Sequence, residues 1–82
     1  MNIFVAKLNY ETNVDSLRNL FEGYGEVSSA KVIYDRETGR SKGFGFVEMP
    51  NDNEAREAIS ALNESEFERR TIVVKEAEPR NR

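Results

Sequence analysis

The chain contains no cysteine and no histidine. Without thiols there is neither a disulfide framework nor a thiolate metal site. Without imidazole, the commonest general base and the commonest metal ligand are both missing. No apolar run approaches the length of a membrane span, and the first residues lack the charged-then-apolar pattern of a secretory leader. A soluble, cytoplasmic protein with no metal, no cofactor and no membrane partner is the expectation. What remains is 82 residues, enough for one domain around one modest core.

Net charge is −3, which argues against bulk electrostatic capture of a polyanion. The distribution carries more than the sum. Glu54, Glu57, Glu64, Glu66 and Glu68 gather in the second half of the chain, in and after a helical region. Lys7, Lys31, Lys42 and Lys75 each fall in or beside a strand-like segment, and Arg36, Arg40, Arg80 and Arg82 fall in a loop and at the C-terminal end. A basic sheet face and an acidic back are compatible with this spacing.

Hydrophobic periodicity divides the chain into six elements. Asn2 to Leu8 is short, apolar and β-prone. Asn13 can cap a helix with Asp15 in its first turn, and Leu17, Leu20, Phe21 and Tyr24 share one helical face. Gly23 and Gly25 stop it. Val27 to Tyr34 alternates as a strand, and Asp35 to Ser41 is a polar loop with a central glycine, suited to a hairpin. Lys42 to Met49 is the third strand, and Pro50 closes it. Asn51, with Glu54 three residues on, opens a second helix whose stripe is Ala55, Ala58, Ile59 and Leu62. Thr71 to Ala77 is the fourth strand, with Ile72 and Val74 inward. The order β-α-β-β-α-β predicts an α+β, ferredoxin-like split-βαβ sandwich. Its sheet is four-stranded and antiparallel, strands one and three lie in the centre, and both helices cover one face. The other face is left bare. The folded domain is expected to span residues 1–78, with 79–82 a mobile tail.

The third strand is the most informative stretch, Lys42-Gly43-Phe44-Gly45-Phe46-Val47-Glu48-Met49. Strand parity places Gly45, Val47 and Met49 on one face and Phe44, Phe46 and Glu48 on the other. A glutamate is rarely buried unpaired, so its face is the wet one. Two phenylalanines then stand side by side in solvent, as a binding surface would. Flat aromatic faces beside a lysine suit nucleobases and phosphates.

This octapeptide resembles the longer ribonucleoprotein motif of the RNA recognition motif family: basic, Gly, aromatic, Gly, aromatic, aliphatic, any, aromatic. Ile3-Phe4-Val5-Ala6-Lys7-Leu8 is similar to the family's shorter motif. The pair occurs in the family's order, with a helix and a hairpin between. The chain is similar in length and ending to short single-domain members of bacteria, including cyanobacteria, and to the domain of plant glycine-rich RNA-binding proteins. The resemblance implies a monomeric binder of single-stranded RNA, with single-stranded DNA a weaker ligand, acting in post-transcriptional regulation and not as an enzyme. It implies that Phe4 and Phe44 stack on successive bases, that Phe46 packs on a ribose, and that Lys42 pairs with a phosphate. Lys31, Ile33, Val73 and Lys75 would border the platform. Lys7, Arg40 and Arg80 would add basic contacts, and the segment Glu76 to Arg80 would finish base readout.

Three positions depart from the family pattern. Met49 replaces a closing aromatic, on the inward face. Lys7 stands for a frequent asparagine, and Glu64 and Arg69 stand where glycines are common, so the loop before the last strand is expected to differ in shape. Tyr10 and Tyr34 have no assignable face and stay outside the expected site. The alternative is a protein–protein interaction module on the same fold, using the acidic helical side. A small acylphosphatase-like enzyme would need an arginine–asparagine phosphate cradle, and none is visible.

Overall fold

Asn13 and Asn51 each accept a hydrogen bond from a backbone N–H three residues on, Ser16 N at 2.8 Å and Glu54 N at 3.0 Å. Both are N-caps, satisfying donors that a helix start leaves unpaired. They open α1 (Val14–Glu22) and α2 (Asp52–Leu62) in the computed structural model, which describes residues 1–77. The acidic first turns, Asp15 in α1 and Asp52 and Glu54 in α2, favour the positive end of each helix. Helix α1 ends at Gly23, which keeps a right-handed φ of −67°, so its stop uses no left-handed glycine. Helix α2 ends at Asn63, whose Oδ1 accepts from Val74 N at 2.9 Å and ties the helix end to the last strand.

The strands are β1 (Asn2–Ala6), β2 (Ser29–Tyr34), β3 (Ser41–Glu48), the two-residue β4 (Glu66–Phe67) and β5 (Arg70–Thr71), and β6 (Val73–Glu76). Four of them form one antiparallel sheet in the order β2-β3-β1-β6. The expected ferredoxin-like α+β architecture is present, with strands one and three at the centre. Strand β1 stops two residues early because Lys7 turns the chain at φ 62°.

Sheet parity assigns the core. Ile3, Val5, Val47, Met49 and Val74 are essentially fully buried on the inner face, joined by Leu17 and Phe21 of α1 and Ala55, Ala58 and Leu62 of α2. Among the described residues, one apolar layer between sheet and helices is therefore the whole core, and no helix shields the outer face. Ile72 and Val74 are inward and Met49 is a core residue, as parity predicts. Phe21 is buried, while Tyr24 and Phe67 pack at the core's rim.

The segment expected as a polar loop before the last strand contains a small hairpin, β4–β5, in which Phe67 pairs with Arg70. The two residues between them, Glu68 and Arg69, have φ of 50° and 73°. A two-residue hairpin with both central φ positive is a type I′ turn, which favours Asn-Gly. Glu64 has φ 64° as well. So the chain keeps the left-handed shapes that glycine would supply and carries long side chains through them. Anchors offset the strain. The Glu68 carboxylate accepts from Thr12 Oγ1, and its backbone carbonyl accepts from Asn9 Nδ2 at 3.0 Å. Arg69→Gly is expected to stabilise the domain by about 0.5–1 kcal/mol, the relief of a left-handed Cβ less the extra chain entropy of glycine. A urea melt showing equal or lower stability for the variant would contradict this account of the turn.

Candidate nucleic-acid interface

Cross-strand register lines up four outward side chains in one row. Lys31 of β2 pairs with Phe46 of β3, Phe46 with Phe4 of β1, and Phe4 with Lys75 of β6. The Phe4 and Phe46 centroids are 5.5 Å apart and tilted by 51°. Lys31 Nζ lies 5.8 Å from the Phe46 centroid, and Lys75 Nζ lies 5.8 Å from the Phe4 centroid. A cation thus sits within cation–π reach at each end of an aromatic pair. Both rings are half-buried against their neighbours and keep a surface open to solvent.

Phe44 completes the cluster, 5.7 Å from Phe4 and 6.2 Å from Phe46, edge-on to the latter at 88°. Its cross-strand partner is Ala6, and beyond Ala6 lies Val73. Ile33 shares the outward parity of Lys31 on β2, next to an irregularity in the β2–β3 register between Val32 and Tyr34. Phe44 is half-buried, like Phe4 and Phe46.

At the end of the sheet where β1 leaves and β3 enters, the cations gather. Lys7, Lys42 and Arg70 border one shallow concavity with Ala6, Leu8, Gly43 and Phe44. Arg40 and Lys42 border a second, with Asp35, Thr38, Ser41 and Phe44. Tyr10 lines both. It is the most exposed large apolar residue, at 64 %, and Arg70 lies 5.8 Å over its ring. Sequence reasoning left Tyr10 out because a loop residue has no parity to read. Its position is set by β3: Gly43, at φ 82°, has no side chain, and a Cβ there would come within 3.0 Å of the Tyr10 ring.

The β2–β3 loop is held by Asp35. Its carboxylate accepts from the N–H groups of Glu37 at 2.8 Å and Thr38 at 3.1 Å, while its backbone N–H donates to the Arg40 carbonyl at 2.7 Å. The backbone N–H of Thr38, then that of Glu37, and more weakly Lys42, hold its carboxyl below the ordinary aspartate value.

Of the residues expected in the site, Phe4, Phe44, Phe46, Lys31, Ile33, Val73 and Lys75 share the bare face, and Lys7, Lys42 and Arg40 lie at its cationic end. Arg80, and the tail expected from residue 79, lie outside the described residues.

An RNA recognition motif family model matches residues 3–73, nearly the whole described chain. The chain belongs to the RNA recognition motif family. A glycine-rich RNA-binding protein, blt801, of Hordeum vulgare is 48 % identical over 77 residues, 94 % of this chain and 48 % of that protein. The putative RNA-binding protein RbpB of Nostoc sp. is 45 % identical over 80 residues, 98 % of this chain and 78 % of that protein. The chain thus spans about half the length of the barley relative and most of the cyanobacterial one. The crystal structure of RNA binding protein PG1 superposes with a TM-score of 0.94 at 54 % identity, covering 100 % of this chain and 99 % of that one. The RNA recognition motif in a Sxl-lethal protein–RNA complex superposes at 0.90 with 26 % identity, over 98 % of this chain and 48 % of that one. Among the described residues of this RNA recognition motif, no helix is long and apolar enough to cross a membrane, and no group of acidic side chains is disposed to hold a metal.

Proposed function

We propose that this domain captures single-stranded RNA on its bare sheet face, as a cytoplasmic monomer acting in post-transcriptional control and without catalysis. The observation that carries the reading is the row Lys31–Phe46–Phe4–Lys75, two adjacent aromatic faces with a cation at either end. Bases stack on the rings, and the ammonium groups swing from ring to phosphate. The row favours Phe4 and Phe46 as the pair that takes successive bases, with Phe44 turned to the sugars, and so exchanges the roles first expected for Phe44 and Phe46. The two are directly opposed on the central strands, whereas Phe44 faces only Ala6. Lys7, Arg40, Lys42, Tyr10 and Arg70 extend the path beyond the sheet. Two stacked bases at about 1–3 kcal/mol each, plus a few phosphate pairs less ordering costs, give an affinity of about −8 kcal/mol, a micromolar Kd.

The test is a fluorescence anisotropy titration of a mixed-sequence single-stranded RNA octamer against increasing salt. Binding in the micromolar range is expected, with log K falling by about 0.7 per phosphate contacted. The DNA octamer should bind more weakly, for want of 2′-hydroxyl contacts. Absence of RNA binding would overturn the reading, and a flat salt response would remove the phosphate role of the lysines. The alternative of a protein–protein module predicts partners that survive nuclease treatment.

A further inference from the structure

The bare face is not uniform along its strands. One end carries Lys7, Lys42, Arg40 and Arg70. At the other, one step past Phe46 on the same face of β3, stands Glu48, paired across strands with Asn2 on β1 and Ser29 on β2. The Glu48 side chain is exposed. Its backbone carbonyl accepts from Ser28 N and Ser28 Oγ, while its carboxylate has no hydrogen-bond or ion-pair partner among the described residues. It borders a concavity with Asp52, Glu76 and Arg56 on the walls, where three carboxylates outnumber two cations: the N-terminal amine is engaged by Asp52 at 3.7 Å and the Met49 carbonyl at 2.7 Å, and the Arg56 guanidinium donates to Asn53 Oδ1 at 3.4 Å.

A phosphate brought to this end meets like charge, and is driven towards the lysines. The edge of a base stacked on Phe46 meets an ionised, acceptor-only group instead. Two adjacent oxygens match two adjacent donors best. Guanine is the base whose Watson–Crick edge offers them, N1–H beside the N2 amino group. Adenine and cytosine offer one amino group beside an acceptor, and uracil a single N–H between two acceptors. We propose that Glu48 selects guanine for the nucleotide stacked on Phe46. This rests on the RNA-binding reading and adds the identity of one base to it. Asn2 and Ser29, its cross-strand neighbours on either side, are uncharged and leave the carboxylate unneutralised.

The test uses uridine octamers carrying one central guanosine, inosine, adenosine or cytidine, with the all-uridine octamer as reference, against the wild-type chain and Glu48→Gln. Wild type is expected to bind the guanosine octamer about tenfold more tightly than the all-uridine and adenosine octamers. The inosine octamer, lacking the N2 amino group, should fall between. Glu48→Gln should bring all five within about twofold of one another, since the amide places a donor against one of guanine's donors. A thermal melt unchanged by the substitution assigns the effect to recognition. Guanosine preference that survives Glu48→Gln, or a wild type that binds all octamers alike, overturns the proposal while leaving RNA binding in place. Binding to none of them overturns both.

Discussion

Replacing Phe44 and Phe46 together by alanine is expected to lower affinity for single-stranded RNA about a hundredfold while the domain stays folded, since the base stacked on Phe46 is worth about 1–3 kcal/mol, the sugar contact of Phe44 is lost with it, and 1.4 kcal/mol is a factor of ten. Each single change should cost at least about tenfold. Folding is spared because the rings lie on the face opposite the core. Val47 and Met49, their inward neighbours, are buried at 1 % and 0 % and keep the core side of the strand filled. What folding loses is the mutual packing of the cluster, at about 0.5–1.5 kcal/mol per aromatic pair. The Phe4–Phe46, Phe4–Phe44 and Phe44–Phe46 pairs, 5.5, 5.7 and 6.2 Å apart, all disappear in the double variant, so a fall in melting temperature is expected beside a large fall in affinity. The two effects separate in one experiment, a melt and an anisotropy titration of the same samples. A folded double variant that binds RNA with unaltered affinity would refute the stacking role. An unfolded one would refute the division between outer face and core.

That division was legible in the sequence because a strand's period is exact enough to sort side chains by parity. Glu48 oriented β3, and once Phe46 was outward, Phe44, Gly45, Val47 and Met49 followed. Phe4 was less accessible to that reasoning. In Ile3-Phe4-Val5 both parities are apolar, and only pairing with Phe46 and Lys75 separates Phe4 from its two buried neighbours. The β4–β5 hairpin was missed for a related reason. Its strands have two residues each, too short for alternation, and its turn carries Glu68-Arg69 where the turn geometry asks for Asn-Gly. Tyr10 was left out of the expected site because its neighbours in space, Phe44, Lys42 and Arg70, are distant in the chain and only tertiary structure brings them together. Glu48 was read in the sequence as a marker of the wet face. Its place beyond the aromatic row, between Asn2 and Ser29, is what gives it chemistry.

Gly45→Ala is expected to be strongly destabilising, for a reason that also explains why the octapeptide carries a glycine between its two phenylalanines. Gly45 sits on the inward face of β3, opposite Val5 on β1 and Val32 on β2. A Cβ there would lie well inside 3.0 Å of the Lys31 carbonyl oxygen, a backbone atom of the adjoining strand, and 3.2 Å from Leu17 Cδ2 of α1. A side chain can rotate away from such a contact, but a ladder carbonyl cannot without parting β2 from β3. Overpacking of this kind costs about 1–3 kcal/mol and occasionally more. At about 4–8 °C per kcal/mol for a domain of this size, the melting temperature should fall by roughly 4–24 °C. Gly39→Ala provides the contrast. Its φ of 75° is strained for alanine, but nothing lies within 4 Å of the added methyl, so only the left-handed cost of about 1–2 kcal/mol remains. RNA binding separates the two variants further. Gly39 is in a loop, whereas displacement of β2 at Lys31 pulls the cation and Phe46 out of the row, so Gly45→Ala should weaken binding even where the domain is still mostly folded. A Gly45→Ala protein that melts with wild type would mean that β2 yields freely at Lys31, and the close approach of those two strands would no longer account for the glycine.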